Sequence, residues 1–255
     1  MKPCGSTELS ERSIHVWTLR IRSSGLSARE FEPILASDEK QRAGRIHFGS
    51  LRDSFVVTRG VLRCLLGRYL DLDPSSIQFN YGPKGKPALA SGAFVDFNIA
   101  HSANMAVFAF TVNCRIGIDV EQIKPLPETY DIATRFFCLE EAAEIMSLPP
   151  SERETAFFRC WTRKEAYIKA LGEGLSAPLN SFRVKVTPNE SAALLHFAND
   201  TSTTEAWTLH DLSIASGYIA ALAYQDRPRA ISVLSVSDSG PHAAASKVKT
   251  VIRRT

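Results

Sequence analysis

The chain has 255 residues, of which 44% are hydrophobic and 22% are charged, and its formal net charge is +3. This composition is typical of a globular protein, and the charge is too mildly basic to indicate nucleic-acid binding by itself. Residues 1–14 lack an apolar core and the apolar runs are too short to cross a bilayer, so neither a signal peptide nor a membrane partner is expected. The five scattered cysteines include no CxxC pair, which favours a reduced, cytoplasmic protein over a disulfide or zinc framework.

The first half of the chain alternates strand and helix signals. Residues 15–21 are rich in aromatic and branched side chains, which predicts a strand. Ser27 followed by Glu30 is typical of a capping box that begins a short helix. Further helices are predicted over 38–47 and 50–70, the second capped by Ser50, with strands over 77–81, 94–98 and 105–112 and a tight turn over 82–87.

The second half repeats this order. Strands are predicted over 115–121, 182–186, 206–212, 218–224 and 231–236, and helices over 128–137, 140–147 and 151–171. Ser151 with Glu154 forms a second capping box, and Gly172 ends the long helix. The two long helices begin about 100 residues apart, which suggests an architectural repeat. We therefore expect an α+β protein with an N-terminal lobe over 1–112, a C-terminal lobe over 113–236 and a mobile basic tail over 237–255.

Two acidic residues occupy positions i and i+2 of a predicted strand in the second half. Asp119 and Glu121 would point to the same face, while Ile118 and Val120 face the core. Adjacent carboxylates repel each other unless a cation lies between them, and oxygen ligands favour a hard metal such as magnesium. The alternative is a strand edge with two solvated acids, since this spacing is common by chance.

A second cluster lies on the long helix of the second half. Trp161 and Ile168 nearly share one direction around the helix and mark its buried face. Glu165 falls at the margin of that face, one turn before Lys169. A carboxylate beside a buried tryptophan is costly without a cation, which favours a functional role. The alternative is a surface Glu–Lys pair that stabilises the helix slightly.

Two weaker signals concern anion binding. His101 and Ser102 follow a strand and are predicted to lie in a small-residue loop that could hold a phosphate. Lys86 in the 82–87 turn could contact an anion as a point charge, although Pro87 and the glycine spacing exclude a Walker A loop. The alternatives are a structural or exposed histidine and a plain hairpin turn.

The order of these motifs carries more weight than any one of them. GKP, FNxxHS, GxDxE and WxxKEAxxKxxGxGL follow one another between Trp17 and Tyr224. This series resembles the Sfp-type phosphopantetheinyl transferases. The resemblance implies a monomer of two similar α+β lobes in a pseudo-twofold arrangement. It also implies transfer of the 4′-phosphopantetheine group of coenzyme A to a serine of an apo acyl, polyketide or peptidyl carrier protein, with release of 3′,5′-ADP.

The resemblance further implies roles for individual residues. Asp119, Glu121 and Glu165 would hold magnesium, or manganese, against the pyrophosphate of coenzyme A. Glu165, or water near it, would help to deprotonate the serine, and Lys169 would pair with the transferring phosphate. The residues expected to contact the phosphates of the nucleotide end are Lys86, Pro87, His101 and Ser102. Glu141 is expected near the site.

The sequence also departs from the family pattern. Ala100 stands where many relatives have serine, and Ser54 stands where relatives often have a further arginine. Binding of the 3′-phosphate of coenzyme A is therefore assigned to Arg52, Lys40 or Arg45.

Two other functions are alternatives to the transferase. A metal-dependent nuclease would need an E-x-K triplet, and Glu121 and Lys124 miss that spacing. A non-enzymatic carrier-binding protein would be expected to have lost its carboxylates or its lysine, and they are present.

Overall fold

The computed structural model describes residues 9–172, 178–186, 192–197 and 207–236 and has an α+β architecture. Its helices are α1 (Ala28–Phe31), α2 (Ser37–Gly44), α3 (Gly49–Leu70), α4 (Thr129–Phe136), α5 (Leu139–Ser147) and α6 (Pro150–Leu171). Its strands are β1 (Ser13–Arg20), β2 (Phe79–Tyr81), β3 (Pro87–Leu89), β4 (Val95–Ser102), β5 (Met105–Val112), β6 (Ile116–Gln122), β7 (Phe182–Val184), β8 (Leu194–Phe197), β9 (Thr208–Leu212), β10 (Tyr218–Tyr224) and β11 (Ala230–Ser235). In the part of the chain described, no helix combines the length and apolar character needed to span a membrane.

Two main sheets organise the molecule. The first has the order β11-β1-β5-β4 and the second the order β6-β10-β9, while β2–β3 and β7–β8 are separate two-stranded ribbons. Helix α3 contributes to the core of the first sheet and α6 to the core of the second. A third group of buried apolar side chains joins strands from both sheets, so the two sheets share a core.

The last strand corrects the predicted domain boundary. Residues 231–236 were assigned to the C-terminal lobe, but β11 pairs in parallel with β1 in the first sheet. The register places Ile231 opposite Ile14 and Val233 opposite Val16. Alternation of apolar residues indicates a strand but does not indicate its partner, which is why the sequence did not predict this crossover.

The two sheets meet where β4 lies beside β6. Backbone N–H groups at and just before β6 donate to side chains of β4: Cys114 to Asp96 Oδ2 at 2.8 Å, Ile118 to Asn98 Oδ1 at 2.9 Å and Gln122 to Ser102 Oγ at 3.1 Å. Side chains thus replace a backbone ladder along this seam and satisfy amide groups that would otherwise be buried without partners.

Several helices and strands begin or end at residues other than those predicted. Strand β4 continues through Ser102, so the small-residue loop predicted at His101 is wrong, and His101 pairs opposite Ala106. Helices α3 and α6 begin at Gly49 and Pro150, which places the predicted caps, Ser50 and Ser151, inside the first turn. Glu154 accepts a hydrogen bond from Leu126 N at 3.0 Å instead of closing a capping box.

The predicted end of the long helix is confirmed, whereas some predicted segments lie outside the described residues. Gly172 ends α6 with φ at 81°, and its N–H donates to Ile168 O at 3.0 Å. Strand β8 was not predicted. The tail over 237–255 and the end of the helix motif, Gly174 and Leu175, lie outside the described residues.

Candidate active site between strand β6 and helix α6

A single glycine sets the distance between β6 and α6. A Cβ placed on Gly117 would lie 2.0 Å from Ala166 O and 2.3 Å from Ala170 N, so a side chain at this position would meet the helix backbone. The helix therefore packs directly on the strand. Glu165 precedes Ala166 and Lys169 precedes Ala170, while Asp119 lies two residues beyond Gly117. This glycine belongs to the GxDxE motif, whose spacing alone does not indicate its packing role.

Asp119 and Lys169 form the centre of the site. Lys169 Nζ donates to Asp119 Oδ1 at 2.6 Å. Asp119 is 4% exposed, and its other oxygen, Oδ2, is buried with no hydrogen-bond partner among the described residues. Burial raises the pKa of Asp119 to about 7, Lys169 opposes the rise, and Glu121 and Glu165 add to it. The single lysine therefore compensates only part of the negative charge of the Asp119 carboxylate.

Glu165 is the second buried carboxylate. It is 6% exposed, and within the described ranges its Oε1 is buried without a hydrogen-bond partner. Burial raises the pKa of Glu165, Lys169 opposes this rise, and Glu121 adds to it. Because the charges of these side chains influence one another, α6 and β6 place three carboxylates and one ammonium in one neighbourhood, which is the arrangement that the resemblance implies.

Glu121 lies at the end of β6 and is held from the first sheet. Ser102 Oγ donates to Glu121 Oε2 at 2.7 Å and accepts from Gln122 N at 3.1 Å. The structure thus gives Ser102 a contact that the sequence did not predict, namely the orientation of a carboxylate on the neighbouring strand.

The donor set of this site fits a hard divalent cation. Across the described residues, no three acidic, histidine or cysteine side chains form a ready-made metal cage. Two buried carboxylate oxygens, on Asp119 and Glu165, nevertheless lack a partner, and such groups are costly unless a cation or donor compensates them. Carboxylate oxygens are the ligands that magnesium accepts, usually together with water and phosphate oxygens.

Lys86 has a different environment from the one predicted. Its Nζ donates to Lys169 O at 2.6 Å, to Ile116 O at 3.1 Å and to Ala170 O at 3.3 Å. Desolvation by burial lowers the pKa of Lys86 to about 8, with Asp96 opposing this change. Pro87 begins β3 opposite Tyr81 and places Lys86 at the end of the turn. Lys86 therefore contacts protein carbonyls beside the site.

His101 lies at the exposed end of β4. Desolvation by the surrounding protein and the nearby Lys169 lower its pKa, Glu121 opposes them, and Arg42 lowers it slightly further. His101 is therefore within electrostatic reach of Lys169 and Glu121.

The predicted ligands of the 3′-phosphate are only partly brought together. Lys40 and Arg52 line one cleft of about 420 Å³ in the first lobe. Arg52 is already paired there with Glu32 Oε1 at 2.5 Å. Arg45 follows α2 as its C-cap residue and is not one of the residues that line this cleft.

Glu141, which is expected near the site, makes its contacts within the second lobe. Its carboxylate is fully buried, pairs with Lys164 Nζ at 2.8 Å and accepts from Val184 N at 2.8 Å. It also accepts from Cys138 N at 2.9 Å at the start of α5. These contacts join α5, α6 and β7, so Glu141 stabilises the fold of the second lobe.

The chain is similar to known proteins over most of its length. The family model described as the 4′-phosphopantetheinyl transferase superfamily matches residues 115–223. The 4′-phosphopantetheinyl transferase HetI of a Nostoc species is 37% identical over 227 residues, which cover 87% of this chain and 91% of HetI. The 4′-phosphopantetheinyl transferase Sfp of Bacillus subtilis is 31% identical over 61% of this chain and 68% of Sfp. The crystal structure of Thermotoga maritima holo-[acyl-carrier-protein] synthase aligns with 45% of this chain and 64% of that chain at 20% identity, with a TM-score of 0.35.

Proposed function

Because this chain belongs to the 4′-phosphopantetheinyl transferase superfamily, we propose that it carries out its reaction at the seam between β6 and α6. The enzyme moves the 4′-phosphopantetheine group of coenzyme A to a serine of an apo carrier protein. The observation that supports this location is the cluster of Asp119, Glu165 and Lys169, in which two buried carboxylate oxygens lack partners.

The reaction replaces the phosphoanhydride bond of coenzyme A with a phosphate ester to serine. The serine hydroxyl attacks the β-phosphorus of coenzyme A, a new O–P bond forms, and the bond between this phosphorus and the bridging oxygen breaks. The electron pair leaves with 3′,5′-ADP, and the serine proton passes to Glu165 or to water beside it. Such transfers depend on positioning and on neutralising charge rather than on covalent chemistry by the protein.

Individual residues would contribute as follows. Asp119, Glu121 and Glu165 would hold magnesium, or manganese, and the ion would neutralise charge on the pyrophosphate when bound. Lys169 donates to the transferring phosphate. Raised pKa values for Asp119 and Glu165 support a site that gains from a cation, because burial alone disfavours their ionised forms.

The nucleotide end of coenzyme A is assigned to the first lobe. Lys40 is exposed in the cleft that it shares with Arg52, and Arg52 is partly neutralised by Glu32. Lys40 is therefore the preferred ligand of the 3′-phosphate. Lys40→Ala should weaken coenzyme A binding about tenfold and leave 3′-dephospho-coenzyme A unaffected, as expected for one charged contact. Equal weakening of both ligands would contradict this assignment.

The carrier is assigned to an apolar and basic surface before and within the start of α3. Phe48 is 72% exposed and Leu51 is 56% exposed, and exposed Arg45 and His47 lie beside them in the chain. Large exposed apolar side chains often mark interaction sites, and basic neighbours suit the acidic helix of carriers implied by the family resemblance. Arg42, on the helix α2 that precedes this segment, lowers the pKa of His101, which supports a location of the segment on the side of the site.

A second exposed apolar surface serves as the comparison. Tyr130 and Leu139 are 58% and 76% exposed, and they adjoin the acidic residues Asp131 and Glu140. Phe48→Ala should raise the KM for the carrier without changing the affinity for coenzyme A, whereas Leu139→Ala should change neither. The reverse result would assign docking to the acidic surface.

The remaining expectations concern setting and assembly. The shared core of the two sheets supports a pseudo-dimeric monomer, which light scattering of the purified enzyme would test. We expect a cytoplasmic enzyme, with neither nucleic acid nor a membrane as its partner. Acyl, polyketide and peptidyl carriers are all candidate substrates.

The direct test is intact-mass measurement of apo carriers after incubation with the enzyme and coenzyme A. Magnesium should permit the gain of one phosphopantetheine group, and EDTA should prevent it. Glu165→Ala should abolish the gain, while Glu152→Ala, an exposed acid in the first turn of the same helix, should preserve it. Activity retained by Glu165→Ala would refute the role of this carboxylate.

A further inference from the structure

The ammonium group of Lys86 crosses from the first lobe to the end of α6. Lys86 follows the turn between β2 and β3, and its Nζ donates to the carbonyls of Lys169, Ile116 and Ala170 at 2.6, 3.1 and 3.3 Å. A lysine ammonium has three N–H donors and no acceptor. Three protein carbonyls therefore occupy the donors that a phosphate of coenzyme A would need.

These carbonyls belong to the two elements that form the active site. Lys169 and Ala170 lie in the last turn of α6, where carbonyls lack partners within the helix and carry partial negative charge. Ile116 is the first residue of β6, immediately before Gly117. Lys86 thus joins the end of α6 to the beginning of β6 where the two backbones are in closest contact.

The same elements carry the reacting groups. The backbone carbonyl of Lys169 accepts from Lys86, and the side chain of Lys169 holds Asp119 at 2.6 Å. We propose that Lys86 is a positioning residue, which fixes α6 against β6 so that Lys169 and the carboxylates keep the geometry needed for transfer. This inference rests on the proposed function and replaces the expected contact between Lys86 and the coenzyme.

The turn that carries Lys86 is itself well held. Gly82 N donates to Lys86 O at 2.9 Å, and Gly85 N donates to Gly82 O at 2.8 Å. Tyr81, just before the turn, accepts from Arg59 Nη2 on α3 at 3.1 Å. The lysine is therefore presented by a short ribbon fixed to the first lobe, as a positioning contact between lobes requires.

Three variants separate positioning from phosphate binding. Lys86→Met removes the donors, Lys86→Gln restores two N–H donors without charge, and Lys84→Met removes a charge from an exposed position in the same turn. We expect Lys86→Met to lower kcat about 10- to 100-fold, as for a reacting group displaced by about 1 Å, with the Kd for coenzyme A changed less than about threefold. Lys86→Gln should recover part of the lost kcat, and Lys84→Met should match the wild type.

Other results would overturn the inference. A Kd for coenzyme A raised about tenfold or more by Lys86→Met, with kcat unchanged, would identify Lys86 as a phosphate ligand. An unchanged kcat in Lys86→Met, or an equal fall of kcat in Lys84→Met, would also refute positioning. If Lys86→Met does not fold, the comparison of kcat and Kd is made with Lys86→Gln, for which a fall in kcat without a change in Kd is expected.

A measurement without turnover separates this inference from the proposed function. Hydrogen exchange at the Gly172 amide, which bonds to Ile168 O, should quicken in Lys86→Met and stay unchanged in Lys84→Met. An unaltered exchange rate at Gly172 in Lys86→Met would refute the positioning role of Lys86 even if the enzyme is active. Faster exchange at Gly172 in Lys86→Met, found together with a wild-type chain that transfers no phosphopantetheine, would support the positioning role of Lys86 and refute the proposed function alone.

Discussion

Replacing Gly117 by alanine tests whether close packing of β6 on α6 creates the site. The added Cβ would lie 2.0 Å from Ala166 O and 2.3 Å from Ala170 N, both of them backbone atoms. No rotamer change can relieve such contacts, so the helix must move by about 1.4 Å or more to bring the 2.0 Å contact to an ordinary van der Waals separation of about 3.4 Å. Overpacking of this kind costs about 1–3 kcal/mol, and the absence of a flexible neighbour favours the upper end of that range.

The expected consequences of Gly117→Ala differ for stability and for catalysis. A loss of 3 kcal/mol, taken from the upper end of that range, would lower the Tm by about 6–12 °C in a protein of this size. A displacement of Lys169 and Glu165 by more than about 1 Å should lower kcat about 100-fold or more. The measurements are thermal denaturation followed by circular dichroism and steady-state transfer of phosphopantetheine.

Gly60→Ala provides the matched control. A Cβ on Gly60 would lie 2.2 Å from Phe31 Cδ1 in the core of the first lobe, so a comparable loss of stability is expected. Gly60 is on α3 and carries none of the site residues, so kcat per folded molecule should stay near the wild-type value. Equal losses of kcat in both variants, or a wild-type kcat in Gly117→Ala, would refute the argument that this contact positions the site.

Three further predictions concern the metal, the seam and the core. Because burial raises the pKa of Asp119 to about 7, magnesium must displace a proton from this carboxyl below pH 7. The affinity for magnesium, measured by calorimetric titration, should therefore rise about tenfold per pH unit up to pH 7 and then level off, and a flat profile would contradict this. Ser102→Ala removes the hydrogen bond to Glu121 and should weaken magnesium binding about tenfold at an unchanged Tm, and an unaltered affinity would show that Ser102 does not orient this ligand. Glu141→Gln breaks the buried pair with Lys164 and should cost about 3–5 kcal/mol in chemical denaturation, with kcat per folded molecule retained; loss of kcat without loss of stability would return Glu141 to the site.

The sign of the pH effect on the free enzyme follows from the same carboxyl. A pKa raised above its unfolded value of 3.8 means that the folded state binds the proton more tightly. The contribution of Asp119 to stability is therefore complete below about pH 4 and declines as the pH rises towards 7. A bound cation should reverse this decline, since it favours the ionised form.

The local geometry of the site could be predicted from the sequence because it depends on two short-range periods. Asp119 and Glu121 lie in the predicted strand, and Glu165 and Lys169 lie one turn apart on the predicted helix. The contacts between elements could not be predicted in this way. Neither period indicates that Lys86 reaches α6, because that contact depends on how the first lobe packs against the second.

The resemblance implies that Lys86 and His101 lie near the site, but it does not indicate the contacts that they make. Both are near the site, yet the ammonium of Lys86 is bound to carbonyls, and His101 belongs to a strand rather than to a loop. Glu141 is expected near the site from the same resemblance, yet its carboxylate is buried and pairs with Lys164. A motif identifies which residues a family retains, whereas burial and partners decide what each one does.

The seam between the lobes explains why the site needs both of them. Strand β6 and helix α6 supply every proposed metal ligand, but Glu121 is oriented by Ser102 and Lys169 is fixed through its carbonyl by Lys86, both from the first lobe. Buried N–H groups of β6 also take their acceptors from β4, as Ile118 does from Asn98. Separation of the lobes would leave those amides without partners and would release two constraints on the site at once. The two sheets therefore contribute differently to the proposed site: the elements of the second carry the ligands, and residues of the first hold them in place.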